Sequence, residues 1–409
     1  MRAYQRLLRY VNVNTQSSER GRNTPSSDSQ FRLARILAKE MTRLGLERVC
    51  TDEHAYTYGF LPATPGRESD PVIGLIAHID TAPDFSAEGV KPFLYLHYDG
   101  RDLPLGESGR VLSPREFPDL LDCIGHTLIS TDGTTLLGAD DKAGVAEILT
   151  ACERLVRERL PHGGVAVCFT PDEEIGHGAS LLDLERFGAA FAYTVDGDAV
   201  NEINYETFNA AAAAFHIHGV SVHPGSAKGI MVNAGHIATR INALLPEAET
   251  PARTEGYEGY FHLMDIKGSV SSARLRYIIR DHDRERFAAR CEKLRQIERA
   301  MNEEYGKGTV KLHIAEQYRN MAEILRRHME VIHRAEKAIR LAGLEPMRRP
   351  VRGGTDGARL SFAGLPCPNL GTGGAAFHGP YEHIAAEDMD KAGESLMNIV
   401  CTPSSAVEE

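Results

Sequence analysis

Residues 71–80 read Pro71-Val72-Ile73-Gly74-Leu75-Ile76-Ala77-His78-Ile79-Asp80. The run up to Ala77 is apolar without alternation, which predicts a strand buried on both faces of a parallel-rich sheet. Such a strand delivers His78 at its carboxyl end, where α/β folds gather their ligands. The same construction recurs downstream. Val165-Ala166-Val167-Cys168-Phe169-Thr170 is a second unbroken run, followed by Pro171-Asp172-Glu173-Glu174, and Phe191-Ala192-Tyr193-Thr194-Val195 is a third, followed by Asp196. Between them, Gly138-Ala139-Asp140-Asp141 leads into a stretch with helical spacing over 143–160. Strand, site residue, helix, strand, site residue predicts an α/β fold with a mixed, mostly parallel sheet flanked by helices.

Outward from this centre, helices are predicted over 28–44, 322–341 and 387–400, a glycine-rich loop over 353–357 and a strand over 367–370. The character changes near Ala210. Strands over 210–218, 273–281 and 309–315 and helices over 233–245 and 284–305 suggest a β-α-β-β-α-β unit inserted into the first domain. The expected organisation is a catalytic domain over 1–207, a smaller α+β lid over 208–318 and a return to the catalytic domain over 319–409. A hinge at the two crossings, near 205–209 and 316–320, would let the lid close on a ligand. Residues 98–126, rich in Gly, Pro and charge, show no assignable pattern.

The chain has 409 residues, more than one hydrophobic core usually serves, and 42% of them are apolar. A net charge of -11 argues against a nucleic-acid surface, which needs clustered Lys and Arg. Seven scattered Cys with no Cys-x-x-Cys pair suit reduced thiols in the cytoplasm. Neither an apolar signal core nor a membrane-length apolar run is present, so a soluble, unexported protein is expected.

The dispersed His, Asp and Glu residues are those a two-zinc hydrolytic site needs. Taken alone, each has a plainer reading: Asp140-Asp141 as helix capping, Glu173-Glu174 as a surface turn, His378 as loop decoration. Together they form a closed set. Asp80, two positions past His78, can orient the imidazole and raise its basicity. Asp140, free to point into a cleft, can give one oxygen to each of two metals. Two adjacent carboxylates at an apolar edge repel unless a cation or proton intervenes. Their side chains diverge, so Glu174 can ligate while Glu173 holds the water between the metals and takes its proton as general base. Asp196 joins His78 on the first zinc, and His378 joins Glu174 on the second. Three carboxylates and one hydroxide balance two zinc ions, which spares a buried site the cost of unbalanced charge. Co²⁺ or Mn²⁺ can also occupy such carboxylate-rich sites.

With these motifs the chain resembles the di-zinc aminoacylase and carboxypeptidase-like metallopeptidases. The likeness rests on Ala77-His78-Ile79-Asp80, Gly138-Ala139-Asp140-Asp141-Lys142, Asp172-Glu173-Glu174, Val195-Asp196-Gly197, Val222-His223-Pro224-Gly225, Arg352-Gly353-Gly354-Thr355-Asp356-Gly357 and Phe377-His378-Gly379, in order along nearly the whole chain. It departs modestly, at Ile79 and at Ala375-Ala376. The resemblance implies a catalytic domain interrupted by a lid, the roles just given, and a cis peptide joining Asp140 and Asp141. Asp196, where Glu marks carboxypeptidase and deacylase relatives, favours an aminopeptidase releasing the N-terminal residue of unblocked tripeptides. Dipeptidase and N-acyl amino acid deacylase activities are the alternatives within the family, and a non-catalytic metal-binding protein is the remote one. A tripeptide's free carboxylate suits the two-point fork of arginine. Arg280 is the first candidate for it and Arg352 the second, while His223 would stabilise the oxyanion. His216 and His218 are read as lid packing or surface. The expected partner is a small peptide, with neither nucleic acid nor membrane, and a homodimer through the lid is left open.

Overall fold

The computed structural model describes residues 1–403 and 405. The chain divides into two compact units, one of Met1–Tyr205, Glu323–Arg349 and the chain from Thr355, the other of Glu206–Ala322 and Pro350–Gly354.

In the first unit an eight-stranded sheet runs in the order Glu47–Thr51, Thr57–Leu61, Val165–Thr170, Ile73–His78, Phe191–Gly197, Asn369–Gly371, Glu202–Asn204 and Met347–Arg348. Its centre is parallel: Ile73–His78 pairs with Val165–Thr170 on one side and Phe191–Gly197 on the other. Both Ile73–His78 and Val165–Thr170 are buried at every position, as unalternating apolar runs require. Strand register brings the site residues together. His78 lies opposite Thr170, and Ile76 lies opposite Thr194, so two residues on, His78 and Asp196 leave the sheet at one edge.

Helix Ala139–Glu158 packs over this sheet and is joined by helices Ala3–Tyr10 and Ala386–Cys401. Its regular turns begin only after Asp141. Asp140 (φ -79°, ψ 104°) and Asp141 (φ -120°, ψ 32°) are not helical, and the bond between them is cis, as the family resemblance implies. The helix also crosses the sheet closely. A Cβ on Gly144 would fall 2.0 Å from the Val195 carbonyl oxygen, so only glycine permits the approach.

Two expectations need correction. The helix expected over 322–341 is two, Ala322–Leu325 and Met329–Leu341, separated at Arg326-Arg327-His328. No Gly or Pro marks the break, so apolar spacing runs through it. Residues 98–126 are not wholly irregular: Leu103–Leu105 pairs with Arg110–Leu112, and a 3₁₀ turn spans Pro118–Leu121. A small core of Tyr98, Leu105, Leu112, Leu120 and Leu128 holds the segment, and His383 pins it through Asp119 at 2.7 Å.

The second unit is a four-stranded antiparallel sheet in the order Tyr260–Gly268, Ser272–Asp281, Asn209–His218 and Val310–Tyr318. Along the central strand Ala211, Ala213, Phe215 and Ile217 are buried, while His216 and His218 point outward and are exposed. The inward set packs with Ile237 and Ile241 of helix Ala234–Ala243 and with Leu294 and Ile297 of helix Arg284–Tyr305. Pro350–Gly354 joins this unit by backbone pairing that side-chain patterns do not announce. The Val351 N–H donates to the Glu206 carbonyl at 2.9 Å, and the Phe208 N–H to Gly353 at 3.2 Å.

All seven cysteines are free thiols. Among the described residues no helix is long and apolar enough to cross a membrane.

Candidate metal centre and active site

At the carboxyl edge of the parallel strands, His78 is almost fully buried between carboxylates. Its Nε2 faces Asp140 Oδ1 at 3.0 Å and Asp196 Oδ1 at 3.4 Å, and its Nδ1 faces the Asp80 carbonyl at 3.1 Å. The other Asp140 oxygen, Oδ2, lies 3.2 Å from His378 Nε2, which is also 3.0 Å from Glu174 Oε2. One carboxylate is thus shared between two imidazoles, each with a further carboxylate of its own. Asp80 is fully buried and does more than face the ring: its two oxygens accept the backbone N–H groups of Glu173 (3.0 Å) and Glu174 (3.3 Å).

The donor set fits divalent metal. Tetrahedral bonds of about 2.0–2.2 Å to nitrogen and oxygen place neighbouring ligand atoms about 3.3–3.6 Å apart, close to the spacings between these groups. The ligand atoms of His78, Asp140 and Glu174 lie within 4.8 Å of one another, as do those of His78, Asp141 and Asp196. Glu174 Oε1 is buried with no hydrogen-bond partner, which costs free energy unless something else meets it. A cation there would satisfy it.

The electrostatics carry the same message. Burial, then the charge of Asp140, pushes the Glu174 carboxyl up to about 7, and burial brings Asp196 up to about 6. Hydrogen bonds to Asp140 and Glu174 raise His378 to about 11. Burial works against the Asp140 charge, yet His378 and His78 hold its carboxyl below the usual carboxylate range. Burial, reinforced by Asp196 and Asp356, raises Glu173 well above the ordinary range. The cluster favours positive charge, whether a bound proton or a cation.

These shifts make the metal-free fold sensitive to pH. Raised carboxyl and imidazole pKa values mean that this cluster binds more protons folded than unfolded from about pH 4 upward, so its contribution to stability falls as pH rises. Among the cluster's carboxylates and imidazoles described above only Asp140 has the opposite sign, and it acts below about pH 4, while burial lowers the neighbouring Lys142 to about 8. Cations compete with these protons. Added divalent metal is therefore expected to raise the melting temperature more at pH 8 than at pH 5.5. An equal or larger rise at pH 5.5, read by differential scanning fluorimetry, would count against the cluster as the binding site.

Residues outside the expected set hold the site in place. Glu382 is buried and accepts three backbone N–H groups of one turn, from Leu137 (2.7 Å), Gly138 (2.8 Å) and Asp140 (3.0 Å). It lies four residues past His378 and 242 residues from Asp140, and no local pattern announces the pairing. Asp141 accepts the N–H groups of His78 (3.0 Å) and Gly144 (3.2 Å), so the second carboxylate of the pair anchors the strand end and the helix start. Asp172 accepts from the Ser26 N–H and hydroxyl and from Gln30, each at 2.6 Å.

The remaining sequence candidates lie in the second unit. His223 accepts the Gly225 N–H at Nδ1 (3.1 Å), which leaves Nε2 to carry the proton of a neutral ring. Arg280 donates from Nη1 to the Ala211 (3.4 Å) and Ile279 (3.0 Å) carbonyls and lies over the Tyr318 ring. Arg352, the second carboxylate candidate, already has partners for its guanidinium. Its guanidinium is spent on the carbonyls of Gly256, Glu258 and Thr254 and on the Thr254 hydroxyl, between the rings of Phe208 and Tyr260. Those bonds staple residues 254–258.

A parallel-centred sheet that ends in a shared aspartate, two histidines and flanking carboxylates defines a metal-dependent hydrolase. Residues 132–402 match peptidase family M20/M25/M40. A peptidase T of Bacillus licheniformis is 50% identical over 398 residues, covering 97% of each chain. Two solved structures share the fold: a tripeptidase from Staphylococcus aureus (TM-score 0.75, 22% identity, 98% of this chain and 97% of that one) and a dinuclear metal-binding peptidase of the M20 family from Bacillus subtilis (TM-score 0.65, 15% identity, 98% of each). The chain belongs to peptidase family M20/M25/M40 and is a metallopeptidase.

Proposed function

We propose that this chain is a cytoplasmic aminopeptidase that releases the N-terminal residue of unblocked tripeptides, using two zinc ions held by His78, Asp140 and Asp196 and by Asp140, Glu174 and His378. The observation that most supports it is the Asp140 carboxylate, whose two oxygens face His78 (3.0 Å) and His378 (3.2 Å) separately. The names of the relatives agree with it: peptidase T in the half-identical sequence, tripeptidase and dinuclear peptidase in the structures.

Bound cations would polarise the scissile carbonyl and make water acidic enough to attack at neutral pH. The chain's own residues do the rest. Glu173, its carboxyl disposed by burial to hold a proton, accepts one from the attacking water and returns it to the leaving amine. Asp80 fixes the backbone of Glu173 and Glu174 while it faces the His78 ring, so base and ligands keep one spacing. His223, protonated on Nε2, supplies a donor for the developing oxyanion. Arg280 takes the substrate carboxylate through the N–H groups not already given to Ala211 and Ile279.

The test is release of the N-terminal residue from an unblocked tripeptide, compared with a dipeptide, a tetrapeptide and the N-acetylated tripeptide, before and after chelation. The tripeptide should be cleaved fastest, the N-acetylated form not at all, and every activity should vanish with chelator. Cleavage of the N-acetylated form would instead indicate a deacylase, and preference for the dipeptide a dipeptidase.

A further inference from the structure

Asp356 is neither a candidate metal ligand nor the proton carrier, though its charge adds to the rise of the Glu173 carboxyl; it is 4% exposed and opens helix Asp356–Phe362. Its Oδ2 accepts the Thr170 hydroxyl at 3.1 Å, and Thr170 ends the strand that leads to Glu173. Gly178 lies against the same carboxylate. A Cβ there would fall 2.3 Å from Oδ2 and 2.5 Å from Oδ1, so no side chain fits. Thr170 and Gly178 bracket the segment that carries both Glu173 and Glu174. That segment has little structure of its own: a 3₁₀ turn, Glu173–Ile175, entered through Asp172 at φ 56° and left through Gly176 at φ 76°. Short turns of this kind depend on outside support. Asp80 holds the middle, Ser26 and Gln30 hold Asp172, and Asp356 touches both ends.

We propose that Asp356 is a positioning residue for proton transfer: by accepting the Thr170 hydroxyl and packing against Gly178 it fixes the Thr170–Gly178 segment, so that Glu173 is presented in one geometry. The inference rests on Glu173 as the proton carrier. A misplacement on the order of 1 Å can cost about 100-fold in rate, whereas substrate affinity is set elsewhere. Loss of Asp356 should therefore appear in kcat and not in KM.

The test uses full-length, metal-loaded enzyme, with kcat, KM and bound metal measured for Asp356→Ala, Asp356→Asn and Thr170→Val, each alone and with Glu173→Gln. With metal held in excess, because Glu174 lies on the same segment, Asp356→Ala should lower kcat about 100-fold with KM within about 3-fold. Asp356→Asn, whose amide oxygen still accepts the Thr170 hydroxyl, should recover most of the loss. On a Glu173→Gln background neither Asp356→Ala nor Thr170→Val should reduce the residual rate further. In the metal-free protein, Asp356→Ala should also speed hydrogen exchange at the Glu173 and Glu174 amides. Unchanged kcat, a loss confined to KM, or losses that multiply with Glu173→Gln would overturn the proposal. Should Asp356→Ala fail to fold, Thr170→Val, which exchanges a hydroxyl for a methyl, decides the matter by the same criteria. A Glu173→Gln enzyme with full activity would sink the proton-carrier reading itself, whatever the Asp356 variants do.

Discussion

Glu173→Gln is expected to lower kcat by about 1,000-fold, within the range general acid–base catalysis contributes, and to leave metal content and KM nearly unchanged. The substitution keeps the shape and removes only the ability to take and return a proton. Glu173 is absent from both groups of candidate ligands, and its link to the site is the backbone N–H donated to Asp80, which glutamine retains. The pH profile should change with the rate: the acid limb of kcat/KM that reports a carboxyl in the free enzyme should disappear. A variant that keeps full turnover, or loses its metal, would show that Glu173 is not the proton acceptor.

Asp140→Asn should be more damaging and should act through the metal. An amide has one oxygen where the carboxylate has two and carries no charge, so it cannot serve His78 and His378 sides alike. Removing a residue that only orients a ligand already costs about 10–100-fold in metal affinity, so loss of the shared ligand should exceed about 100-fold and abolish activity at micromolar metal. The fold should survive, because Glu382 bonds the Asp140 backbone and not its side chain. Metal analysis after dialysis, with circular dichroism as the control, separates the outcomes. A variant that retains two metals per chain would remove Asp140 from the bridging position.

The range of each interaction decides whether the sequence reveals it. The central strands were legible because burial on both faces leaves no alternation, and residues at the ends of parallel strands must share one edge. Hence His78, Glu173, Glu174 and Asp196 could be grouped from local pattern alone. Helix Arg284–Tyr305 was legible to its ends because capping by Asp283 and the following Gly306 are local signals. The support of the site was not. Glu382 and Asp356 act on backbone and hydroxyl groups far away in sequence, and a single carboxylate in a loop carries no mark of such a partner. The partners of Arg352 were equally hidden: a guanidinium beside glycines gives no sign of the backbone carbonyls that the fold brings to it. The broken helix around Arg326-Arg327-His328 kept its apolar spacing on both sides, so periodicity joined what the backbone separates.

The proposed chemistry requires Asp140 to lie between two cations. Anomalous diffraction at the zinc edge from crystals grown with excess zinc tests it most directly. Two peaks about 3.5–4 Å apart are predicted, one against His78 and Asp196, the other against Glu174 and His378, with one Asp140 oxygen on each. A single peak, or two peaks neither of which touches Asp140, would contradict it.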